Sequence, residues 1–227
     1  MATQLDLQEQ EQLDALKSFW NSYGNLITWT LILVLGAFAA WNGWNYWQRD
    51  QAVKASAMYG ALEQAAQAGD AERTGRVFSD LKQAYPATAY AQQGGLAAAK
   101  VQFGAGQPDA AQGSLQWVAD NAVETEYRTI ARLRLAALLA TAKKYDEALK
   151  QLDGATAAGF EALVADRRGD VLAAAGKKDE ARGAYQSAWK GMDDKIDYRR
   201  LIDAKLTALG AAPAASGPAA GKSGGGS

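Results

Sequence analysis

Neither cysteine nor histidine occurs among the 227 residues of this chain. Without cysteine there is no disulfide framework, no zinc–thiolate site and no thiol nucleophile. A bacterial lipoprotein anchor, which needs a cysteine, is excluded on the same ground. Without histidine the chain lacks the residue most used for proton transfer near neutral pH, which is also the commonest metal ligand. Runs of β-branched residues that would build strands are absent too. So is a charge of one sign: the net charge is -1. The first 48 residues hold about -3 of it (Lys17 against Asp6, Glu9, Glu11 and Asp14) and the rest about +2. A balance of that kind gives no electrostatic reason to expect nucleic acid. No catalytic residue, cofactor or metal is expected.

What is present begins with one long uncharged stretch. From Ser18 to Gln48, 31 consecutive residues carry no charge, and the centre from Leu26 to Ala40 is almost wholly apolar. A bilayer core of roughly 30 Å takes about 20 such residues in a helix. Residues 24–47 are therefore expected to cross a lipid bilayer once, after a short segment at 1–23. Aromatic rings flank the apolar centre, with Trp20 and Tyr23 before it and Trp41, Trp44 and Trp47 after it. Rings with an apolar body and a polar tip settle at the two headgroup levels, so these five are the expected interface anchors. A cleavable signal would have a short basic start, whereas the start here is long and acidic. A buried helix of a soluble domain is the remaining competitor, favoured by the polar Asn42 and Asn45. A helix lying flat on the membrane needs a charged face, which is lacking. Flanking cations nearly tie, with Lys17 and the amino terminus against Arg49 and Lys54, so charge leaves the orientation open.

Beyond the uncharged stretch the chain is alanine-rich, with apolar residues at helical period. Breaks at Gly69-Asp70, Pro86, Gly106-Gln107-Pro108, Lys143-Lys144 and Gly176-Lys177-Lys178 divide it. The pattern predicts helices over 51–68, 71–84, 88–105, 108–121, 126–142, 145–156, 160–175, 179–191 and 196–209. Short connections between such helices make neighbours antiparallel. Three copies of one motif recur: Gln107-Pro108-Asp109-Ala110-Ala111, Lys144-Tyr145-Asp146-Glu147-Ala148 and Lys177-Lys178-Asp179-Glu180-Ala181. Each opens a helix with acidic residues, which its dipole favours, and then places a small alanine where a partner helix approaches. Ala111 to Ala148 is 37 residues and Ala148 to Ala181 is 33. A helix–turn–helix unit repeating near 34 residues has the tetratricopeptide period. Ala136 and Gly169 are the matching small residues on the first helices, and Leu152 and Tyr185 lie one turn beyond the alanines. A degenerate copy runs through Gly69-Asp70-Ala71-Glu72-Arg73. The expected fold is all-α: one transmembrane helix, then over 48–209 a tetratricopeptide-like right-handed solenoid of about four hairpins with a C-terminal capping helix.

Several segments then resemble a known family. Tyr85-Pro86-Ala87-Thr88-Ala89-Tyr90-Ala91 with Ala97-Ala98-Ala99-Lys100 is similar to its first signature. Leu115-Gln116-Trp117-Val118 followed by Ile130-Ala131-Arg132-Leu133-Arg134-Leu135-Ala136 is similar to its centre. Gly169-Asp170-Val171-Leu172 leading to Glu180-Ala181-Arg182-Gly183-Ala184-Tyr185 is similar to its last repeat. Over residues 5 to 208 the chain resembles the ancillary SecYEG translocon subunit family of Gram-negative bacteria. The resemblance implies a single-pass inner-membrane protein with a cytoplasmic N-terminus and a periplasmic C-terminal domain. It also implies association with the SecYEG translocon and with a membrane-anchored periplasmic chaperone of the prolyl-isomerase-like type, in handing exported proteins onward. No catalytic or partner-contact residues carry over.

Stacked hairpins usually present a groove lined by the first helix of each unit. By helical phase, the candidate groove residues are Tyr59, Glu63, Lys100, Phe103, Leu133, Asp166 and Asp170. Two other readings stand beside the translocon accessory: a tetratricopeptide scaffold in envelope biogenesis or cell-division coordination, and a regulatory subunit of an enzyme. Gly217-Pro218-Ala219-Ala220-Gly221-Lys222-Ser223 imitates a phosphate loop, but with three spacer residues instead of four and no following helix. Asp193-Asp194 and Asp166/Asp170 are carboxylate pairs expected to be helix charges or caps. The Ala/Pro/Gly/Ser tail over 210–227 is expected to be disordered.

Overall fold

The computed structural model describes residues 7–211, with side chains from residue 11 onward. Most of the tail over 210–227 thus lies outside the described residues. Two compact units make up the chain, one up to Val53 and one from Lys54. Among the described residues there are nine helices and no strand: α1 (Leu7–Gln67), α2 (Ala71–Ala84), α3 (Ala89–Gly104), α4 (Pro108–Asn121), α5 (Thr125–Thr141), α6 (Tyr145–Asp153), α7 (Glu161–Ala174), α8 (Lys178–Gly191) and α9 (Tyr198–Ala208). The all-α, tetratricopeptide-like class expected from the periodicity is the class observed.

The first unit is the N-terminal part of α1. It holds the one described helix long and apolar enough to cross a membrane, and only 6% of its apolar window is buried. Leu26, Trp29, Leu33, Leu35 and Phe38 are all exposed. A core helix of a soluble domain would have buried these side chains, so that competing reading does not hold. Thr28 and Thr30 return their hydroxyls to the Gly24 and Leu26 carbonyls, which satisfies them within the helix. A separate helix starting at residue 51 is not seen. Gln48-Arg49-Asp50-Gln51 contains neither glycine nor proline, and nothing in the backbone stops α1 there.

The second unit stacks four hairpins: the end of α1 with α2, then α3/α4, α5/α6 and α7/α8, with α9 packed on α8. From α2 onward each helix touches its sequence neighbours, and the first helices also touch one another, α3 with α5 and α5 with α7. Four apolar clusters follow in series. Leu62, Phe78 and Leu81 join the first hairpin; Leu115, Val118 and Leu135 join α4 to α5. Leu139, Leu152 and Val171 continue into α7, and Tyr185, Ile202 and Leu206 close the C-terminal end. Ala111, Ala148 and Ala181 are each fully buried, as the motif alignment requires. The bulky residues one turn on, Leu115, Leu152 and Tyr185, are buried beside them. A Cβ on Gly169 would collide with the Tyr185 ring, so this glycine sets how closely α7 and α8 approach.

The first helix of each hairpin ends in the same way. After α1, α3, α5 and α7 one residue takes a left-handed conformation: Gly69, Gly106, Lys143 and Gly176, with φ between 60° and 79°. The next N–H then bonds back to a carbonyl of the last turn, as Asp70 N does to Ala65 O and Lys144 N to Leu139 O. Beyond α1, two predicted ends shift by more than one residue. α6 stops at Asp153 and not at residue 156, because the chain turns at Gly154 against the Arg132 guanidinium and the Ala157 N–H is held by Thr129 Oγ1 at 3.1 Å. α9 starts at Tyr198 and not at 196, after a turn in which Asp193 accepts from the Lys195 N–H.

Candidate functional site

A groove opens in the second unit on the side of α3, α5 and α7. Its cavity has a volume of about 360 Å³. α3 contributes Ala99, Lys100 and Phe103, and α4 supplies Ala111 and Leu115 as the floor. The far wall is Arg134, Ala137, Leu138 and Thr141 of α5, with Arg167 of α7 at the edge. Small residues make this space possible: had Ala99, Ala111 or Ala137 carried long side chains, the floor would be filled. Phe103 remains 52% exposed beside Lys100, an apolar ring in contact with water. Arg134 reaches across to α3, donating from Nη1 to the Leu96 carbonyl at 3.3 Å. Lys100 makes no ion pair among the described residues. No acidic side chain lines the cavity.

Of the seven residues named from helical phase, Lys100 and Phe103 line this cavity. Tyr59 and Glu63 stand further along the same run of first helices. The Tyr59 ring lies 5.6 Å from that of Tyr90 in α3. Burial, and then the adjacent Glu63 carboxylate, push the Tyr59 phenol above its ordinary value. Gln93 donates to the Tyr127 hydroxyl at 2.8 Å close by, tying α3 to α5. Leu133 is half-buried against the cluster formed by α5, α6 and α7.

Asp166 and Asp170 sit in the wall between α7, α8 and α9. Asp166 is 1% exposed and accepts from Lys205 Nζ at 2.8 and 2.9 Å and from the Tyr198 hydroxyl at 2.7 Å. Asp170 accepts from the Tyr185 hydroxyl at 2.8 Å and pairs with Lys205 and Arg167 at 2.7 and 3.2 Å. A buried carboxylate with that many donors is held internally; the expectation of a solvated charge or cap is corrected here. Burial, then the bond to Asp166, push the Tyr198 phenol up to about 12. Burial and the bond to Asp170 raise Tyr185 further.

In the first unit, Trp20, Tyr23, Trp41, Trp44 and Trp47 are all at least half exposed. Phe19 and Tyr23 form one ring pair and Trp44 and Trp47 another, each at 5.2 Å.

Helical phase missed Arg134 and Arg167. A signal for both was available, since they lie 33 residues apart, the same offset as Ala148 and Ala181. It also missed Lys205 and Tyr198, which come from an element with no counterpart in the repeat. No group of three or more metal-ligating side chains occurs among the described residues.

The chain is similar in sequence to known proteins. The family model of a tetratricopeptide repeat-like domain matches residues 17–211. A protein of Neisseria gonorrhoeae (strain ATCC 700825 / FA 1090), named an ancillary SecYEG translocon subunit, is 33% identical over 207 residues, which cover 89% of this chain and 98% of that one. A protein of the same name from Escherichia coli (strain K12) is 30% identical over 185 residues, 80% of this chain and 87% of its own. A third, from Haemophilus influenzae (strain ATCC 51907 / DSM 11121 / KW20 / Rd), is 28% identical over 182 residues, 80% of this chain and 89% of its own.

Proposed function

Because the chain belongs to the ancillary SecYEG translocon subunit family, we propose that it is a membrane-tethered, non-enzymatic protein-binding module accessory to that channel. One observation carries this reading. The N. gonorrhoeae relative is matched over 98% of its length, so the apolar helix and the helical repeats are shared together and not as separate pieces. The groove in the repeat unit supplies a surface for a partner chain, and the apolar part of α1 supplies the tether. Tethering raises the local concentration of such a surface at a membrane channel without demanding tight contact.

In this reading the N-terminus is cytoplasmic and the repeat unit is periplasmic, in the inner membrane. Its partners are the translocon and a membrane-anchored periplasmic chaperone of the prolyl-isomerase-like type, and it helps hand exported proteins onward. The lack of histidine and cysteine supports an adaptor role over catalysis. Crosslinking followed by affinity purification of the full chain from native membranes tests the partner: SecY is expected among the captured proteins, and recovery of division or cell-wall proteins alone would overturn it. A C-terminal alkaline phosphatase fusion tests the side. Activity is expected; a silent phosphatase with a fluorescent cytoplasmic reporter would reverse the orientation.

A further inference from the structure

The groove of the repeat unit has a chemistry that specifies its occupant. At about 360 Å³ it lies near the lower end of ligand pockets, roughly 300–1,000 Å³, which suits one or two side chains and not a folded domain. Its floor is apolar at Leu115 and its far wall at Leu138, and Phe103 stands open at its rim. All three charged residues lining it, Lys100, Arg134 and Arg167, are cations. Asp170 offsets only Arg167, at 3.2 Å. Among the described residues Lys100 has no ion pair, and Arg134 has only the long bond to the Leu96 carbonyl. Two cations therefore flank an apolar hollow with their charge uncompensated, while the carboxylates nearby are engaged by α8 and α9.

We propose that the groove between α3 and α5 seats an extended acidic segment of a partner protein, with an apolar side chain in the hollow and flanking Asp or Glu carboxylates on Lys100 and Arg134. Charge complementarity selects the segment: a basic occupant would meet two uncompensated cations at close range, and a neutral one would leave them unanswered. The apolar floor demands a bulky side chain between the acids, which a purely acidic run lacks. This inference rests on the protein-binding reading above and gives it a residue-level site.

The test uses the full chain in detergent micelles and amide-capped, fluorescein-labelled peptides that alternate Glu with Leu and Phe. Counterparts carry Gln or Lys at the Glu positions. Capping removes the terminal carboxylate as a source of charge. Fluorescence anisotropy is expected to show the Glu peptide binding at least about tenfold more tightly than the Gln peptide, with an advantage that shrinks as salt screens it. K100E combined with R134E is expected to abolish that preference and to favour the Lys peptide. Both residues are exposed, so circular dichroism should report an unchanged fold. A second variant, Ala137→Phe, fills the hollow without changing charge and should weaken the Glu peptide about tenfold as well. Equal affinity for Glu and Gln peptides, or an unaltered preference in K100E/R134E, would overturn the proposal. Displacement of the peptide by phosphatidylglycerol vesicles lacking protein would also overturn it, by assigning the groove to anionic lipid. Co-purification of SecY separates this inference from the function it rests on: peptide selectivity without SecY supports the groove and sinks the translocon role, and the converse does the reverse.

Discussion

Lys143 is the residue whose chemistry disagrees most with its backbone. It occupies the left-handed turn position at φ 60°, where the three equivalent turns have glycine. A side chain there costs roughly 1 kcal/mol, against a smaller loss of unfolded-chain entropy in lysine. Lys143→Gly is therefore expected to stabilise the repeat unit by about 0.5–1 kcal/mol, read as a higher urea midpoint at unchanged slope. Tyr185 and Tyr198 give a second expectation. Both phenols are raised in the folded state, and both donate to carboxylates that must keep accepting. An unfolded tyrosine titrates near 10, so between that pH and about 12 the unfolded state sheds protons that the folded state keeps. Their contribution is thus whole below pH 10 and is lost as pH rises through the folded values. The melting temperature should fall over that window, and less steeply in Tyr185→Phe/Tyr198→Phe. An identical slope in both proteins would show that the two phenols play no part.

Among the elements, α1 is the least ordinary, at 61 residues. Most of the repeat helices are 14 to 17 residues long, each closed by a turn that the sequence displays. A helix needs a reason to stop, and the stretch after the apolar run offers none. The change there is in solvent preference and not in backbone propensity, so the sequence pattern suggests a break where the helix runs on. Its apolar part is expected to depend on hydrophobic transfer alone. An arginine at the centre of a membrane helix costs roughly 3 kcal/mol on insertion. Leu33→Arg with Leu35→Arg should therefore shift the protein from the carbonate-resistant membrane fraction to the soluble or degraded fraction. Retention equal to the parent would mean that α1 does not span. α9 differs again: it belongs to no repeat, yet its Ile202, Leu206 and Lys205 complete the last apolar cluster and the Asp166 network. It acts as the cap that a terminal repeat needs against water.

For the molecule as a whole, the repeat unit has its own four apolar clusters, whose described members run from Ala55 onward. A chain starting at Lys54 is accordingly expected to be soluble, monodisperse and as helical as the unit in the full protein. Aggregation of that fragment on size-exclusion chromatography, or a loss of helical signal, would show that the apolar part of α1 is needed for folding. Serial clusters, in which each hairpin packs on the next, also make much of this fold legible in the sequence. The breaks at Gly69, Gly106, Lys143 and Gly176, the alanines at Ala111, Ala148 and Ala181, and the period linking them are local signals. They depend on a few adjacent residues and on the approach of the next helix.

The sequence by itself determined the helices, the turns between them, the repeat and the apolar segment, because each follows from backbone propensity and periodicity within one hairpin. Only the tertiary structure decided which polar positions face the groove. Lys100 and Asp170 follow Ala99 and Gly169, the small residues of their first helices, and so share a helical phase. Lys100 is exposed at the cavity, while Asp170 is drawn into the wall by Tyr185 and Lys205. The difference lies in α9, whose return brings Lys205 to Asp166 across 39 residues. No local pattern encodes that contact, since it depends on how the last hairpin is covered and not on how any helix is formed.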